Sequence, residues 1–549
     1  MNRFIMIIPP NVPYDLLLGT QKKFATKMRK EIPMGAVSIA TYIKKYYCDW
    51  KYEIIDFNII LDEKECRIQF CEDSESVLTD ILQDYYSEQD NEVIIGISAI
   101  FNATFTYLDV ISKSCKKVWK NAFVFAGGFV PSNLYKETLT NALYLDAVSF
   151  GEGELPILKY MQATDKKSFL EKNSAWITRN KLRNDFVPHH DFLYDLDEIP
   201  ALDYSLINFE KYSDHTHAQT KRKIVAAPLM FSRGCPFNCC FCASHSIHGK
   251  KVRYNSLEKI IEDIGIIKEK YRINTLVVWD DNFFVDMNRA YALLDYCEKL
   301  DIQLEFANSF PVYRMNEELV VRLKRAGVEV ASLAIESGCQ RVLDEVMHKG
   351  HVKLEMVRSA IAVLRKHGFY VKGMFVIGLP GETKEELEET VEFIKTVGLN
   401  WVDVFSASPI AGSELYEICK KNGYLDNEGA EKYDFYTCCI KTDEFTPQDI
   451  EKIQLETVLY TDYVNNWDMI HGDYQTAFIN FGHVMKSNPD NPFAFYYAGE
   501  CAKKMGDSET AERLIGQAFE IKNKDKKWDE LFEKYNIKIN ESKKEPWID

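Results

Sequence analysis

The chain contains no run of about 18 apolar residues, the length a bilayer span requires, and its first apolar stretch, 4–8, is stopped at once by Pro9 and Pro10. That start reads as a first β-strand and not as a secretory leader. A cytoplasmic protein without a membrane span is therefore expected. Positive charge is in deficit: 67 Lys and Arg stand against 83 Asp and Glu, a net charge of −16. This argues against broad, sequence-independent nucleic-acid binding; Lys221-Arg-Lys223 and Lys250-Lys251 are short enough to be ordinary solvated charges. Cysteine shows no disulfide framework, since the 14 thiols are scattered through 549 residues. Reduced thiols fit that pattern in the cytosol. A hydrophobic content of 46% is ample for real cores, and the length suggests three or four domains.

Cysteine clusters at one informative place, Phe231-Ser-Arg-Gly-Cys-Pro-Phe-Asn-Cys-Cys-Phe-Cys242. Cys235, Cys239 and Cys242 are separated there by three and two residues, after an expected strand at 224–231. Three thiolates on one tight loop suit a four-iron cluster, which normally takes four cysteines; with three, one iron stays open as a ligand site. A zinc site needs a fourth Cys or His, for which His245 and His248 are near in sequence. Cys240 is read as a packing residue. The Cys-x3-Cys-x2-Cys spacing, with aromatic Phe241 before the last cysteine, resembles the radical S-adenosylmethionine (SAM) superfamily. The resemblance implies a [4Fe-4S] cluster whose open iron is chelated by SAM, and Phe241 close to the adenine. It also implies a helix after the loop, for which Ser256 is the expected N-cap.

Residues 1–160 alternate short apolar runs (4–8, 52–56, 93–98, 123–126, 147–150) with helical stretches such as 34–46 and 74–86. That alternation predicts a doubly wound parallel sheet, with ligands beyond the carboxyl ends of its strands. The loops there carry Pro10, Ser98, Gly127, Gly128, Gly151 and Glu152. Together with Pro33-Met-Gly35 and Gly151-Glu-Gly-Glu154 they resemble the Rossmann-like cobalamin-binding domain that precedes many radical SAM cores, and the resemblance implies that these loop residues contact cobalamin. Residues 1–160 contain no histidine, so the Asp-x-His-x-x-Gly motif of methionine-synthase-like domains is missing. Cobalamin bound there lacks a histidine ligand from this region, and a domain that keeps the fold without the cofactor stays open.

A linker is expected over 161–225, then a partial (βα)6 TIM-type barrel over 226–440, with strands at 224–231, 275–279, 303–307, 329–335, 370–377 and 401–407. Functional groups should gather at the strand ends: Asp280-Asp-Asn282, Asn308-Ser309, Glu336-Ser-Gly338, Gly378-Leu-Pro-Gly-Glu-Thr383, Ser406 and Ser408. By resemblance Asp280 and Asp281 lie near the methionine amino group of SAM, Glu336 and Ser337 near the ribose, and Gly378 through Glu382 near the adenine. Thr383-Lys-Glu-Glu386 also reads as a capping box. Cys438-Cys439, in Tyr433-Asp-Phe-Tyr-Thr-Cys-Cys, offer an extra ligand or a redox pair, against which their strand-like apolar setting favours burial; Cys339 reads as a small buried residue. A connecting helix is expected over 441–465 and tetratricopeptide-like helical repeats over 466–540. The signal is Gly472-Asp-Tyr-Gln-Thr-Ala477 recurring as Gly506-Asp-Ser-Glu-Thr-Ala511, 34 residues on.

The resemblance as a whole implies a cobalamin-dependent radical SAM enzyme, a C-methyltransferase acting on an unactivated carbon through a 5′-deoxyadenosyl radical and methylcobalamin. The alternatives are non-methylating cyclisation, rearrangement or oxidation by the same radical, and a non-catalytic iron–sulfur scaffold or electron-transfer protein. Implied partners are a small-molecule or peptide substrate and an electron donor such as flavodoxin or ferredoxin. A protein or carrier at the C-terminal repeats is a further candidate.

Overall fold

The first sheet is built from strands apolar on both faces. β1 (Arg3–Ile8), β2 (Lys51–Asp56), β3 (Val93–Ser98), β4 (Phe123–Gly127) and β5 (Ala147–Ser149) run parallel in the order β2-β1-β3-β4-β5. Near-continuous Val, Ile and Phe runs are what a parallel sheet covered on both sides requires. Ile5, Ile7, Ile95, Ile97 and Val124 pack on one face, and Phe4, Met6, Ile94 and Phe125 on the other, beside helix α1 (Met34–Tyr46). The strand order reverses between β1 and β3, which makes that crevice the switch point where such sheets bind ligands. β6 (Trp176–Ile177) extends the sheet antiparallel to β5. The segment expected as a linker thus contributes a strand, because the fully buried Trp176 ring packs on Phe123, Phe125 and Tyr160.

The computed structural model describes residues 1–12, 30–183, 186–212, 215–216, 223–425 and 438–538. Lys221, Arg222 and residues 433–437 lie outside the described residues. Among the described residues no helix is long and apolar enough to cross a membrane.

The expected strand 224–231 is divided. Lys223–Ile224 pairs with His215–Thr216, β7 (Ala226–Leu229) joins the second half of the molecule, and β8 (Ser232–Arg233) turns off to pair with β9 (Arg253–Tyr254). Pro228 is accommodated because β7 is an edge strand. β7, β10 (Thr275–Val278) and β11 (Gln303–Phe306) form one parallel sheet; β12 (Val330–Glu336), β13 (Tyr370–Ile377) and β14 (Trp401–Ser406) form another. A parallel bridge from Phe310 to Leu333 links the two. Six strands thus follow in chain order around an arc. Burial alternates along β12, β13 and β14. Leu333, Phe375 and Val404 face the core, which they share with α2 (Leu257–Tyr271), α3 (Met287–Lys299), α4 (Glu317–Arg325), α5 (Leu354–Lys366) and α6 (Lys384–Thr396). The alternate residues Ser332, Lys372 and Asp403 are left half-buried on the opposite face. Ser256 caps α2 and the Thr383–Glu386 capping box starts α6, as the sequence leads one to expect.

The C-terminal region is helical: α7 (Pro447–Leu459), a π-turn at Tyr460–Val464, then α8 (Tyr474–Ser487), α9 (Pro492–Lys504), α10 (Ser508–Lys522) and α11 (Lys526–Lys534). The 34-residue repeat is visible in the backbone. Gly472 and Gly506 both take positive φ (82° and 88°), and Asp473 and Asp507 each cap the next helix through the amides of Thr476 and Thr510. This region lies against the start of the barrel strands. Trp401 packs on Tyr463 and Phe481, and the Asn480 amide donates to the Tyr370 hydroxyl at 3.0 Å.

Candidate active site

The ligand edge of the first sheet faces the carboxyl ends of the barrel strands. Ala411, in the loop after β14, joins the first sheet's core, and Gly412 (φ 90°) lies so close to Asn133 that a Cβ would meet its Oδ1. Tyr212 donates to Asp56, at the end of β2, at 2.7 Å. Pro10 and Ser98 flank the switch point between β1 and β3, and Ser98 is followed by exposed Ile100 and Phe101. Gly128 (φ 94°) is needed for the chain itself, since a Cβ there would come within 2.8 Å of the Ala99 carbonyl. Gly127 is open by comparison, with Ser149 at 3.7 Å from its would-be Cβ. The buried Ser149 hydroxyl has no partner. Gly151 (φ 77°) receives the His190 ring and donates its amide to Ser132 Oγ at 3.0 Å.

On the barrel side the loop between β8 and β9 carries Cys235, Cys239 and Cys242, all partly buried and free of disulfides. Burial, with a smaller contribution from the neighbouring thiols of the loop, pushes the Cys235 and Cys239 thiols up to about 11. The same burial raises Cys242. Lys349 opposes the rise at Cys239 and Cys242. Its ammonium sits 2.7 Å from Glu336 and 3.1 Å from the Ala334 carbonyl. Cys240 is buried, its amide bonded to the Met347 carbonyl and its own carbonyl to the Leu415 amide, so it packs as expected. Phe241 is half-buried against the barrel core. Phe237, at the loop's tip, stacks on His351 with ring centroids 4.0 Å apart and meets Tyr313 edge-on.

The other predicted residues divide into two groups. Asp280 and Asp281 reach the cysteine loop. Asp280 accepts the Phe231 amide at 2.7 Å and the Ser232 hydroxyl, while Asp281 accepts the Gly234 amide at 2.8 Å and the Ser244 hydroxyl at 2.5 Å. They hold the loop from both flanks. Glu336, a non-glycine residue at φ 73°, lies close enough to the cysteine loop to raise the Cys239 and Cys242 thiols; sparsely populated backbone of this kind recurs at functional sites. Ser337 and Glu382 turn inward. The Ser337 hydroxyl bonds Thr390 and the Cys339 amide. Glu382 accepts the amides of Gly378 and Leu379 at 2.6 and 2.7 Å, so it shapes its own loop. Gly378 (φ 84°) lies under the Ile450 side chain. Lys349, Arg233, Arg253, Tyr313 and His351 were missed by sequence reasoning. Lys349 gave no signal, being paired with a residue 13 positions away across a π-turn.

Burial outweighs the two amide bonds of Glu382 and raises its carboxyl to about 8; burial likewise raises Asp280 to about 7. The folded chain therefore keeps protons that unfolded carboxyls release, and the stability this brings is complete below the ordinary carboxyl range and lost as pH rises through about 7 and 8. Glu152 and Glu154, held low by neighbouring arginines against the opposing effect of burial, act in the opposite sense, but their contribution is already complete above about pH 5. The melting temperature of the apo chain should fall by several degrees between pH 6 and pH 9. Glu382→Gln keeps an acceptor for both amides and loses the proton, so it should flatten that slope; an unchanged slope would refute the assignment.

The residues present fit the groups that the sequence implies. Three soft thiol donors on one loop, with a cation nearby, match an iron–sulfur cluster. Among the described residues no three His, Cys, Asp or Glu side chains converge on a single metal-ion position. At the opposite edge, the glycine turn, the exposed Ile100–Phe101 pair and the unpartnered Ser149 hydroxyl suit a large, flat ligand with polar substituents.

Residues 229–394 match the family model described as the radical SAM superfamily. The chain is 30% identical over 362 residues to an uncharacterized methyltransferase of Pyrococcus horikoshii, covering 66% of this chain and 76% of that protein. It is 28% identical over 364 residues to cytidylyl-2-hydroxyethylphosphonate methyltransferase of Streptomyces wedmorensis, covering 61% and 68%. The radical SAM methyltransferase TsrM of Kitasatospora setae, solved with tryptophan and a SAM analogue, superposes with a TM-score of 0.58 at 13% identity over 78% of this chain and 77% of that one. That likeness is one of fold.

Proposed function

The chain belongs to the radical SAM superfamily, and on that premise we propose that it is a cobalamin-dependent enzyme that methylates an unactivated carbon. One observation carries the proposal: the loops at the carboxyl edge of a doubly wound sheet meet the neck of the three-cysteine loop directly, Glu152 and Glu154 after β5 pairing with Arg253 and Arg233. Cys235, Cys239 and Cys242 would hold three irons of a [4Fe-4S] cluster, and the loops carrying Pro10, Ser98, Gly127, Gly128 and Gly151 would hold the corrinoid. When bound, these groups and SAM supply one-electron cleavage of SAM and delivery of a methyl group. The chain's own residues do the rest. Asp280 and Asp281 fix the flanks of the cysteine loop. Lys349 favours thiolate at Cys239 and Cys242, the form a metal requires. Glu336, largely buried beside the cysteine loop and already paired with the Lys349 ammonium, can accept from the ribose or ammonium of SAM.

Anaerobic purification from cells supplied with hydroxocobalamin tests the proposal. The expected result is a protein with about one corrinoid and one cluster per chain, which with SAM and a strong reductant releases 5′-deoxyadenosine. With substrate it should also give S-adenosylhomocysteine and a product one methylene heavier. A protein that cleaves SAM yet takes up no corrinoid would displace methylation in favour of the non-methylating radical reactions.

A further inference from the structure

The neck of the cysteine loop is an arginine ribbon that needs outside help. β8 and β9 have two residues each, and their register sets Arg233 directly opposite Arg253. Like charges facing one another across a strand pair repel, and here both side chains are buried, 12% and 4% exposed. The counter-charge comes from the first domain. Glu152 takes the fork of Arg253 on both oxygens, Nη2 to Oε1 at 2.5 Å and Nη1 to Oε2 at 2.9 Å. It also accepts His248 Nδ1 at 2.9 Å and lies 3.3 Å from Arg233 Nη1. Glu154 accepts Arg233 Nη2 at 2.7 Å and the hydroxyl of Ser38, on α1, at 2.6 Å. Bidentate guanidinium–carboxylate pairs are directional as well as strong.

The two arginines bracket the cysteines closely. Arg233 and Gly234 immediately precede Cys235. Gly234 (φ 99°) is pressed against the returning strand, so that a Cβ would stand 2.8 Å from the Lys251 carbonyl. Asp281 grips the loop from the barrel side through Gly234 and Ser244. The loop is therefore held between carboxylates of two domains. On the barrel side these lie at the end of β10; on the other side they lie in the Gly151-Glu-Gly-Glu154 turn after β5.

We propose that Glu152 and Glu154 are positioning residues for the cysteine loop: by neutralising Arg233 and Arg253 they close its neck, so that docking of the first domain sets how Cys235, Cys239 and Cys242 are presented. The proposal rests on the reading of that loop as the cluster site. It gives the turn after β5 a task distinct from corrinoid contact, since the oxygens of Glu152 are taken up by Arg253, His248 and Arg233.

The test compares full-length wild type with E152Q, E154Q and E152D in two states. In the apo chain, hydrogen–deuterium exchange read by mass spectrometry reports on residues 232–254. E152Q should speed exchange there about tenfold, leaving β1–β5 unchanged. After anaerobic reconstitution with iron and sulfide, E152Q should hold less than half the wild-type cluster iron. The SAM-induced change in the EPR spectrum of its reduced cluster should also be weakened. E154Q, which spares the Arg253 fork, should fall between, and E152D, which keeps the charge, should recover part of the wild-type spectrum. Should E152Q not fold, E154Q decides. A lower melting temperature with unaltered exchange in 232–254 and an unaltered spectrum would overturn the proposal. If wild type itself takes no cluster, the assignment of the loop fails, while the exchange data still decide whether the carboxylates order it.

Discussion

Replacing Cys239 with alanine is expected to reduce cluster content below about a tenth of wild type and to abolish 5′-deoxyadenosine formation, while leaving the fold almost untouched. A cubane ordinarily takes four cysteine ligands, and this loop supplies three, so losing one leaves two points of attachment. The three candidate thiols are partly buried and make no disulfide. Their buried protons, held up to about 11 at Cys235 and Cys239, must be displaced for a metal to enter. Binding there is therefore bought with several cooperating thiolates, and a two-thiolate remnant is much weaker than two-thirds of the whole. Cys240→Ala is the informative control. Its side chain is buried in the barrel core and its backbone is bonded to Met347 and Leu415, so it should cost on the order of 1 kcal/mol of stability and leave cluster content near normal. Iron and sulfide analysis with visible absorption measures both variants. A stoichiometric cluster and normal turnover in Cys239→Ala would remove the basis for radical chemistry here.

Strands were legible where the chain is apolar on both faces. β3 spans the expected residues, and β1, β2, β4 and β5 differ from expectation by a single residue at one end. β6 was invisible because two residues make no pattern; Trp176 is held in the sheet by pairing with Ser149 and by rings more than ten positions away. The stretch 224–231 looked continuous because apolar content hides direction, whereas the chain leaves one sheet and enters a ribbon between Leu229 and Ser232. At the site, strand-end positions could be located from alternation alone. Side-chain direction could not. Ser337 faces Thr390, 53 residues on, and Glu152 faces Arg253, 101 residues on, and neither partner has a local signature. Polar residues predicted to meet a ligand were in several cases meeting the chain, because a buried carboxylate first satisfies the amides or guanidiniums within its reach.

The C-terminal helices carry the second large effect. Deletion of residues 441–549 is expected to give aggregated protein with no assembled cluster. The free edge of β14 would otherwise offer unpaired backbone groups, a template for aggregation. The helical region covers that edge with side chains. Asp462, in the π-turn, accepts the Val402 amide at 2.9 Å, and Gln454 of α7 donates to the Val404 carbonyl at 2.5 Å. Ile450 lies over Gly378, and Arg365 sits 3.5 Å above the Trp467 ring. The Asn400 amide, just before β14, donates to Asp468 at 2.6 Å. A repeat array serving only as a detachable docking surface would leave a soluble, cluster-competent remainder when removed. These contacts instead make it part of the barrel wall. A graded series separates the two views. Removing residues 506–549 takes away α10 and α11 while sparing Gln454, Asp462 and Asp468, and should leave soluble protein, weakened because α11 braces α7 through Lys534 and Tyr535 on Glu456. Gln454→Ala should cost about 1 kcal/mol, the worth of one hydrogen bond. Trp401→Ala, which strips the ring packed on Tyr463 and Phe481, should cost about 3–5 kcal/mol. Soluble yield, light scattering and chemical denaturation measure the series, and a soluble, cluster-loaded 1–440 chain would show that the edge of β14 is protected by something other than α7 and its π-turn.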